Sequence, residues 1–418
     1  MTTAEIITIG TEIVLGQIVD TNTAYIAETL TKNGIHVLFT TSVRDDAELL
    51  KSALNIAKER VQLIITTGGL GPTENDITRE TVSHLFNMPL IPSSEPYANI
   101  PQCADTLHES AMKLKSIPAG ALVIPNEHGT AIGFALKHEQ TDLVCLPGVP
   151  REMHQILSSY LKIYKAQHLA EEYRIVTRQF HTFGMPEFEI NKLIKECDIH
   201  RNSIKTMTLV HDGIVTVNVS TSSLIKEDAL QSLDTAEKTL RKILGQAIFG
   251  TDDTSLEHAV FELLKEKNAT IAVAESCTGG LVSDKFTNIP GISDYFLEGI
   301  VAYSNKAKIN ILHVPEDYIK IHGAVSEQVA KSMAKGIRKI SGATIGIGIT
   351  GIAGPGGGSD QKPVGLVYIA IAGDNFTEVK KCRFHGARIS NKHFAANTAL
   401  NMTRLKLSQL FNPHQGKS

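Results

Sequence analysis

The stretch Thr270-Ile271-Ala272-Val273-Ala274-Glu275-Ser276-Cys277-Thr278-Gly279-Gly280 carries the clearest structural and chemical signal of the chain. Its apolar start is typical of a buried strand, and its two glycines allow a sharp turn into the helix-periodic segment 281–288. The hydroxyl of Ser276 and the thiol of Cys277 therefore follow a strand directly, where a nucleophile is expected. The bare N–H groups at a helix start favour negative charge, so Thr278 and Gly279 are candidate substrate-binding residues.

A second glycine run spans Thr350 to Gly358 and follows another apolar run, 343–349. The backbone of such a run can approach a phosphate closely, although a flexible loop has the same composition. Arg388 is a candidate phosphate ligand because its forked guanidinium matches phosphate oxygens, and Arg383 is the alternative. The two glycine runs together predict a hydrolytic site for a phosphorylated substrate. The predicted substrate-binding residues of the second run are Thr350, Gly354, Gly356 and Gly357.

The composition of the whole chain indicates a globular protein with a small partner. Its 418 residues suffice for two or three domains, and 42% of them are hydrophobic. With a formal net charge of −3 the chain has no basic field that would attract nucleic acid. No apolar stretch approaches the roughly 20 residues that span a bilayer, and the N-terminus lacks a secretion signal. We expect a cytoplasmic protein that binds neither membrane nor nucleic acid.

Cysteine and histidine usage is the next constraint. The five cysteines, an odd number, lie far apart with no Cys-x-x-Cys pair. This pattern fits a reducing compartment and argues against a disulfide framework or structural zinc. The sixteen histidines show no metal-ligand spacing, so a histidine-based metal site is not expected.

The first part of the chain, residues 1–170, alternates short apolar runs with helix-periodic segments. The pattern predicts a parallel sheet covered on both faces, whose ligands collect where strands end and helices begin. The predicted strands are Glu5–Ile9, Val37–Thr41, Leu63–Thr67, Ala121–Ile124 and Leu143–Leu146. The predicted helices are Asn22–Asn33 and Ala47–Glu59.

Three junction loops of this first domain predict a pocket. They begin at Gly10, Thr66 and Leu146, and the middle one is rich in glycine with carboxylates nearby. Such a loop can cradle phosphate beside a divalent cation, for which Asp76 and Glu12 are the candidate ligands. The alternative is a tight turn in which Asp76 caps the helix from Ile77. The predicted pocket residues are Glu12, Asp20, Asn22, Gly68, Gly69, Gly71, Thr73 and Asp76.

The middle of the chain, residues 171–252, predicts a small α+β connector. Segments 180–183 and 214–219 alternate like half-exposed strands, and 187–196 and 228–244 are helix-periodic. An RNA-binding module could have this architecture, but the connector lacks a basic face interleaved with aromatics. Residues 253–418 form a predicted C-terminal α/β domain that ends in a long helix from about Ile389.

A hydrolytic site needs a nucleophile and a base, and this C-terminal domain offers candidates for both. Ser276 is the predicted nucleophile, and no histidine lies in the motifs around it. Lys306 is the predicted base, with Tyr303 three residues earlier at a spacing that can bring both side chains to one face. Such a lysine must be buried to lose its charge, whereas an ordinary surface lysine stays protonated. Cys277 is the rival nucleophile, unless it is only a small buried apolar residue.

The order of these motifs resembles the CinA family along nearly the whole chain. The motifs that carry the resemblance are Gly10-Thr11-Glu12, Gly16 to Asn22, Thr66 to Thr73, Leu146 to Met153, Ala274 to Gly280, Val301 to Lys306, Gly323 to Glu327, Ile349 to Pro355 and Pro363 to Val367. The resemblance implies a molybdopterin-binding-like N-terminal domain and a C-terminal domain that hydrolyses nicotinamide mononucleotide to the acid and ammonia, with no cofactor. It also favours Ser276 over Cys277, implies that Thr350 hydrogen-bonds substrate, and implies a homodimer.

The resemblance further implies divalent-metal-dependent hydrolysis of ADP-ribose by the N-terminal domain. The family pattern has paired aspartates after Gly-Pro-Thr-x, and here the first position of the pair is Asn75. Asparagine keeps an oxygen ligand but loses the carboxylate charge that holds a hard cation. The alternatives to deamidation are therefore this pyrophosphatase activity, and a protein that binds nucleotide or pterin without turnover, for example in competence.

Overall fold

The computed structural model describes residues 2–93, 108–168, 174–197, 199, 204–223 and 226–410. The chain divides into two compact units, Met1–Val176 with Thr221–Gln231, and Thr177–Ser220 with Ser232–Ser418. Cys103 and the predicted domain boundary at residue 170 lie outside the described residues. In the part of the chain that the structure describes, no helix has both the length and the apolar character of a membrane span.

The first unit is built on a six-stranded sheet with helices on both faces. Its strands are β1 (Thr3–Ile9), β2 (His36–Val43), β3 (Leu63–Thr67), β4 (Leu90–Pro92), β5 (Ser116–Pro118), β6 (Leu122–Ile124), β7 (Gly133–His138) and β8 (Thr141–Leu146), and β4 and β5 form a separate ribbon. Its helices are α1 (Thr11–Val14), α2 (Thr21–Lys32), α3 (Ala47–Arg60), α4 (Thr78–Leu85), α5 (His108–Lys115) and α6 (Pro150–His168). All the strands and helices predicted for this region are confirmed within a few residues.

The prediction of an all-parallel sheet is wrong at one edge. The sheet order is β2-β1-β3-β8-β7-β6, in which the first four strands are parallel and the last two pair antiparallel. Residues His138 and Thr141 pair across a two-residue turn, and a turn of this length can only reverse the chain. Strand β7, which was not predicted from the sequence, runs antiparallel to both of its neighbours, and this makes the sheet mixed.

The remaining strands form a four-stranded and a five-stranded sheet. The strands are β9 (Arg174–Phe183), β10 (Lys205–His211), β11 (Ile214–Ser223), β12 (Ile248–Thr251), β13 (Ile271–Glu275), β14 (Phe296–Val301), β15 (Ile345–Gly351), β16 (Leu366–Ala372) and β17 (Thr377–Arg383). The helices are α7 (Glu187–Glu196), α8 (Lys226–Leu244), α9 (Leu256–Lys267), α10 (Leu281–Thr287), α11 (Asn305–Asn310), α12 (Glu316–His322), α13 (Glu327–Ser341) and α14 (Arg388–Leu410). The four segments predicted for the connector are confirmed, and the four-stranded sheet has the order β10-β11-β9-β12.

The five-stranded sheet, β14-β13-β15-β16-β17, positions the predicted catalytic motifs. Strands β14, β13 and β15 are parallel, whereas β16 and β17 are antiparallel to their neighbours. Helices α9, α10 and α14 pack on one face, and α13 covers the other. Because the carboxyl ends of three adjacent parallel strands meet at one edge, the loops after 275, 301 and 351 converge there.

Candidate active site

Ser276 is the first residue after β13. Its N–H donates to the carbonyl of Ile349 at 3.0 Å, which extends the β13–β15 pairing one residue beyond the strand. Gly279 and Gly280 then adopt φ values of +65° and +97°, a left-handed region that glycine enters without steric cost. The chain turns there into α10 and leaves the Ser276 side chain at the sheet edge, with the residue 7% exposed.

Lys308 lies beside this serine. The Lys308 side chain is bonded through Nζ to Oγ of Ser276 at 3.0 Å, to the carbonyl of Ala302 at 2.8 Å and to the carbonyl of Tyr303 at 3.1 Å. The lysine is only 2% exposed. The three contacts fix the amine at the hydroxyl, so the two groups form a serine–lysine pair.

The surroundings of Lys308 favour its uncharged form. Nζ donates to the two carbonyls and lies within hydrogen-bond distance of the Ser276 hydroxyl, and a neutral amine can keep both carbonyl bonds while its lone pair accepts from that hydroxyl. None of the three bonded groups is a carboxylate, so no formal negative charge contacts the ammonium form. Burial, the largest cause, lowers the pKa of Lys308 from 10.5, and the nearby Cys277 opposes the shift. The pair can therefore activate a serine hydroxyl by removing its proton.

The prediction of Lys306 as the base is wrong. Lys306 is exposed on α11, and Ser304 caps that helix by accepting the N–H of Ala307 at 3.1 Å. Residues two positions apart on an α-helix are rotated by about 200° around its axis, so Lys306 and Lys308 point to opposite sides. One sequence signal could have identified Lys308, since the apolar Leu312 follows four residues later, just beyond the end of α11, and is 1% exposed.

Cys277 is unsuited to the role of nucleophile. The residue is 6% exposed, and burial raises the pKa of its thiol to about 12. A thiol with this pKa carries almost no thiolate at neutral pH, and the thiolate is the reactive form. The residue packs in the apolar core between the sheet and α14.

A cavity of about 270 Å³ opens over the serine–lysine pair. Its walls come from the loops after all three parallel strands and from the start of α14. The lining residues are Ser276, Cys277, Tyr303, Asn305, Lys308, Ala324, Val325, Thr350, Gly351, Ile352, Ala353, Gly354, Gly356, Gly357 and Arg388. Of the predicted substrate-binding residues, Thr350, Gly354, Gly356, Gly357 and Arg388 therefore lie together around the predicted nucleophile.

Arg388 forms one end of this cavity. Its Nη1 donates to the carbonyl of Gly354 at 2.6 Å, and its Nη2 donates to the hydroxyl of Tyr303 at 3.3 Å. The guanidinium thus joins the glycine loop to the loop after β14. Arg383, the alternative cation, is exposed on β17 and is not a lining residue. At the opposite wall the hydroxyl of Thr350 donates to the carbonyl of Ala324 at 2.8 Å.

The prediction of free N–H groups at the start of α10 is wrong. The carboxylate of Glu275 accepts the N–H groups of Gly280 and Val282 at 3.1 Å each and that of Ser283 at 2.9 Å. Thr278 and Gly279 are not lining residues of the cavity, and Thr278 is fully buried. The position that we expected for a substrate anion is filled by a carboxylate of the chain itself.

The predicted pocket residues of the first unit have clear structural partners. Asp20 caps α2 by accepting the N–H of Thr23 at 2.9 Å, and the amide of Asn22 donates to the carbonyl of Gly148 at 2.8 Å. Gly68 has φ +109°, and a Cβ there would collide with the carbonyl of Ile9. Asn22 and Gly68 thus connect the ends of neighbouring parallel strands.

Asp76 is occupied by its own loop. Its carboxylate accepts the N–H of Gly71 at 2.7 Å, the N–H of Thr73 at 2.8 Å and the Thr73 hydroxyl at 2.5 Å. Helix α4 begins later and has no side-chain cap, so Asp76 caps the loop and not the helix from Ile77. A Cβ on Gly69 would collide with Thr78 and one on Gly71 with Asp76, which explains both glycines sterically.

The predicted metal site of Asp76 and Glu12 is not supported by the surrounding residues. Both oxygens of Asp76 already accept hydrogen bonds, and Glu12 and Asn75 are exposed. Within the described parts of the chain, no group of three or more acidic, histidine or cysteine side chains comes together as a metal would require. Divalent cations need several oxygen ligands, so these residues do not fit one.

The fold and the site together define an α/β protein with a buried serine–lysine pair in a cavity at a sheet edge. Three family descriptions match the chain: "Probable molybdopterin binding domain" over residues 5–166, "Damage-inducible protein CinA KH domain" over 177–250, and "CinA C-terminal domain" over 253–407. The chain belongs to the CinA family.

Similar proteins extend over nearly the full length of the chain. A relative from Caldanaerobacter subterraneus named "Putative competence-damage inducible protein" is 41% identical over 92% of this chain and 93% of its own. A relative with the same name from Caldicellulosiruptor saccharolyticus is 40% identical over 96% of this chain and 98% of its own. The crystal structure of competence/damage inducible protein CihA from Agrobacterium tumefaciens is 37% identical, covers 37% of this chain and 94% of its own, and superposes with a TM-score of 0.36.

Proposed function

We propose that this protein hydrolyses the carboxamide of nicotinamide mononucleotide to nicotinic acid mononucleotide and ammonia. The observation that carries the proposal is the contact of 3.0 Å between Lys308 Nζ and Ser276 Oγ. A pure binding protein needs no buried amine against a hydroxyl. An amidohydrolase needs this pair to make the serine nucleophilic.

The proposed reaction uses the two side chains in turn. Ser276 Oγ attacks the carboxamide carbon while Lys308 Nζ takes the hydroxyl proton. The resulting ammonium of Lys308 then gives this proton to the amide nitrogen, which leaves as ammonia, and an acyl ester on Ser276 remains. Water attacks the ester with Lys308 again as base, and the acid leaves as the serine hydroxyl is restored. Lys308 serves as both base and acid, so the deamidation as proposed uses no cofactor.

The other lining residues suit the rest of the nucleotide. A cavity of about 270 Å³ accommodates a small planar ring, and the open glycine loop lies beside the guanidinium of Arg388. We assign the phosphate to Arg388 and the glycine loop because guanidinium and backbone N–H groups both bind phosphate oxygens. Thr350 is assigned to the substrate on the opposite wall. The proposal includes a small-molecule nucleotide substrate, a homodimer and a cytoplasmic location.

The test is direct identification of products. Purified protein is incubated with nicotinamide mononucleotide, ammonia is quantified and the nucleotide product is identified by mass spectrometry. We expect equal amounts of ammonia and nicotinic acid mononucleotide from the wild-type protein and none from Ser276→Ala. A parallel incubation with ADP-ribose and Mg²⁺ measures pyrophosphatase activity. Binding of nicotinamide mononucleotide without ammonia release would contradict the proposal and support a non-catalytic binding role.

A further inference from the structure

Glu275, the residue immediately before the serine, is a fully buried carboxylate that belongs to neither the pair nor the cavity lining. It is 0% exposed at the end of β13. Ser283 donates to it twice, from N–H at 2.9 Å and from Oγ at 2.8 Å, both to Oε1. The N–H groups of Gly280 and Val282 donate to Oε2, each at 3.1 Å.

These four hydrogen bonds compensate a costly burial. A carboxylate without partners is strongly destabilised in the protein interior, whereas each bond to a charged acceptor is shorter and stronger than a neutral one. The N–H groups of Val282 and Ser283 lie in the first turn of α10 and have no acceptor within the helix. Gly280, the N-cap residue, has no side chain to cap them. Glu275 therefore caps α10 from five residues before the N-cap.

The segment that begins with Ser276 is attached at both of its ends. One end of the segment 276–280 is joined to the sheet by the bond from Ser276 N–H to the Ile349 carbonyl. Its other end is attached to the Glu275 carboxylate through Gly280. Within the segment, the N–H of Gly279 donates to the carbonyl of Ser276 at 3.1 Å. Because two glycines with positive φ leave the backbone free to move, the placement of this turn against the sheet depends on its attachments at both ends.

We propose that Glu275 is the positioning residue of the nucleophile, whose carboxylate holds the 276–280 turn so that Ser276 Oγ stays at Lys308 Nζ. This inference rests on the proposed function, since it assigns Glu275 a role in the same reaction. Glu275 acts through the backbone and touches no substrate. Its loss lowers the rate of attack by Ser276 and leaves substrate binding, which uses other residues, unchanged.

The test compares Glu275→Gln with a matched control, Glu257→Gln. Glu257 also contacts α10, through Lys285 at 3.4 Å, but lies away from the turn. An amide at position 275 carries no charge and, in its better orientation, still turns an N–H group toward the backbone N–H of Ser283, so it weakens the attachment of the turn. Because a misplacement of about 1 Å can cost about 100-fold in rate, we expect kcat of Glu275→Gln to fall roughly 100-fold with KM within about threefold. Glu257→Gln stays within about threefold in both.

A second readout does not require nicotinamide mononucleotide to be the substrate. A fluorophosphonate reagent phosphonylates an activated serine: Oγ bonds to phosphorus, fluoride leaves, and Lys308 takes the hydroxyl proton. Mass spectrometry gives the rate of labelling at Ser276. We expect the same roughly 100-fold decrease for Glu275→Gln, and no decrease for Glu257→Gln. If the wild-type protein is labelled at Ser276 but does not hydrolyse the nucleotide, the proposed function is overturned. The comparison of labelling rates then still tests the role of Glu275.

The outcomes separate positioning from simple stabilisation. Circular dichroism and the unfolding temperature establish that each variant is folded at the assay temperature. Should Glu275→Gln not fold, Ser283→Ala removes one of the four bonds, and labelling about threefold to tenfold slower than in Glu257→Gln supports the proposal. A folded Glu275→Gln that keeps both kcat and labelling within threefold overturns it, as does a change in KM alone.

Discussion

The side chains of Lys308 and Ser276 meet at 3.0 Å although 32 residues separate them in the chain. The contact arises because β13 and β14 are parallel neighbours. Ser276 follows the first strand, and the chain after the second strand passes Ala302 into α11, which carries Lys308. The serine–lysine contact therefore depends on strand order and on the phase of one short helix.

Replacement of Lys308 by methionine should abolish hydrolysis of nicotinamide mononucleotide. Methionine keeps the length and apolar stem but removes the base, and general acid–base catalysis contributes about 10² to 10⁴-fold to rate. Lys308→Arg should be equally inactive because arginine does not deprotonate in proteins. Lys306→Met is the matched control on the same helix and should retain kcat within about threefold, since surface substitutions have small effects. An active Lys308→Met, measured by ammonia release, would remove this residue as the base.

The lowered pKa of Lys308 predicts a specific pH dependence of activity. The uncharged amine is the active form, so kcat/KM should rise with pH and level off above the pKa of Lys308 in the folded protein. The profile is measured from pH 5 to 10 with nicotinamide mononucleotide. If Lys308→Met keeps measurable residual activity and its kcat/KM still falls at low pH as in the wild type, the titrating group is a residue other than Lys308.

The same group should contribute to the pH dependence of stability. The pKa of Lys308 is lower in the folded protein than its ordinary 10.5, so between the two values the unfolded chain binds more protons. The penalty of burying the charge is complete below the folded pKa and is relieved as pH rises toward 10.5. The free energy of unfolding of wild type relative to Lys308→Met should therefore increase with pH in this window. Urea unfolding at several pH values measures the difference, and a constant or falling difference contradicts the assignment.

The strand-and-turn part of the site could be predicted from the sequence. An apolar run followed by Ser276 and two glycines predicts a strand, a hydroxyl at its end and a turn through local rules alone, and the structure contains all three. The choice between Lys306 and Lys308 required the phase of α11. That phase is set by the Ser304 cap and by burial of Leu312 just beyond the helix end, which are weak signals for a helix of six residues.

Other features depended on tertiary contacts. Glu275 resembles any acidic residue at a strand end, and only the return of α10 to its carboxylate shows that it accepts hydrogen bonds from the start of that helix. Similarly, Asp76 has the sequence context of a helix cap or a metal ligand, yet the loop folds back and takes both of its oxygens. Competition between a backbone donor and an external ligand for the same carboxylate is decided by three-dimensional proximity.

Cys277 should be dispensable for catalysis and resistant to alkylation. Burial raises its pKa to about 12, so the thiolate is scarce at pH 7.5. We expect Cys277→Ala to keep kcat within about tenfold, since only packing near Ser276 changes. In native protein treated with iodoacetamide, mass spectrometry should find Cys277 unmodified until denaturant is added. Loss of activity equal to that of Ser276→Ala, or rapid native labelling, would return Cys277 to the role of nucleophile.

Asp76 should stabilise its loop and not a metal ion. Asp76→Ala removes three hydrogen bonds to Gly71 and Thr73, so the amides of these two residues should exchange hydrogen at least about tenfold faster. Glu74→Ala, an exposed neighbour, is the control and should leave both rates unchanged. Hydrogen exchange followed by NMR measures each amide. Exchange that slows on addition of Mg²⁺ in wild type, but not in Asp76→Ala, would instead show that the carboxylate binds metal.

Arg388 should determine the preference for a phosphorylated substrate. Its guanidinium faces the cavity beside the carbonyl of Gly354, and loss of a bond to a charged group costs about 1.5 to 3 kcal/mol. We expect Arg388→Met to raise KM for nicotinamide mononucleotide by about 10 to 100-fold, the equivalent of that energy, and to leave KM for the phosphate-free nicotinamide riboside unchanged. Arg383→Met, on the exposed strand β17, is the control and should affect neither substrate. An equal increase in KM for both substrates would mean that Arg388 shapes the cavity through Tyr303 and Gly354 without binding the phosphate.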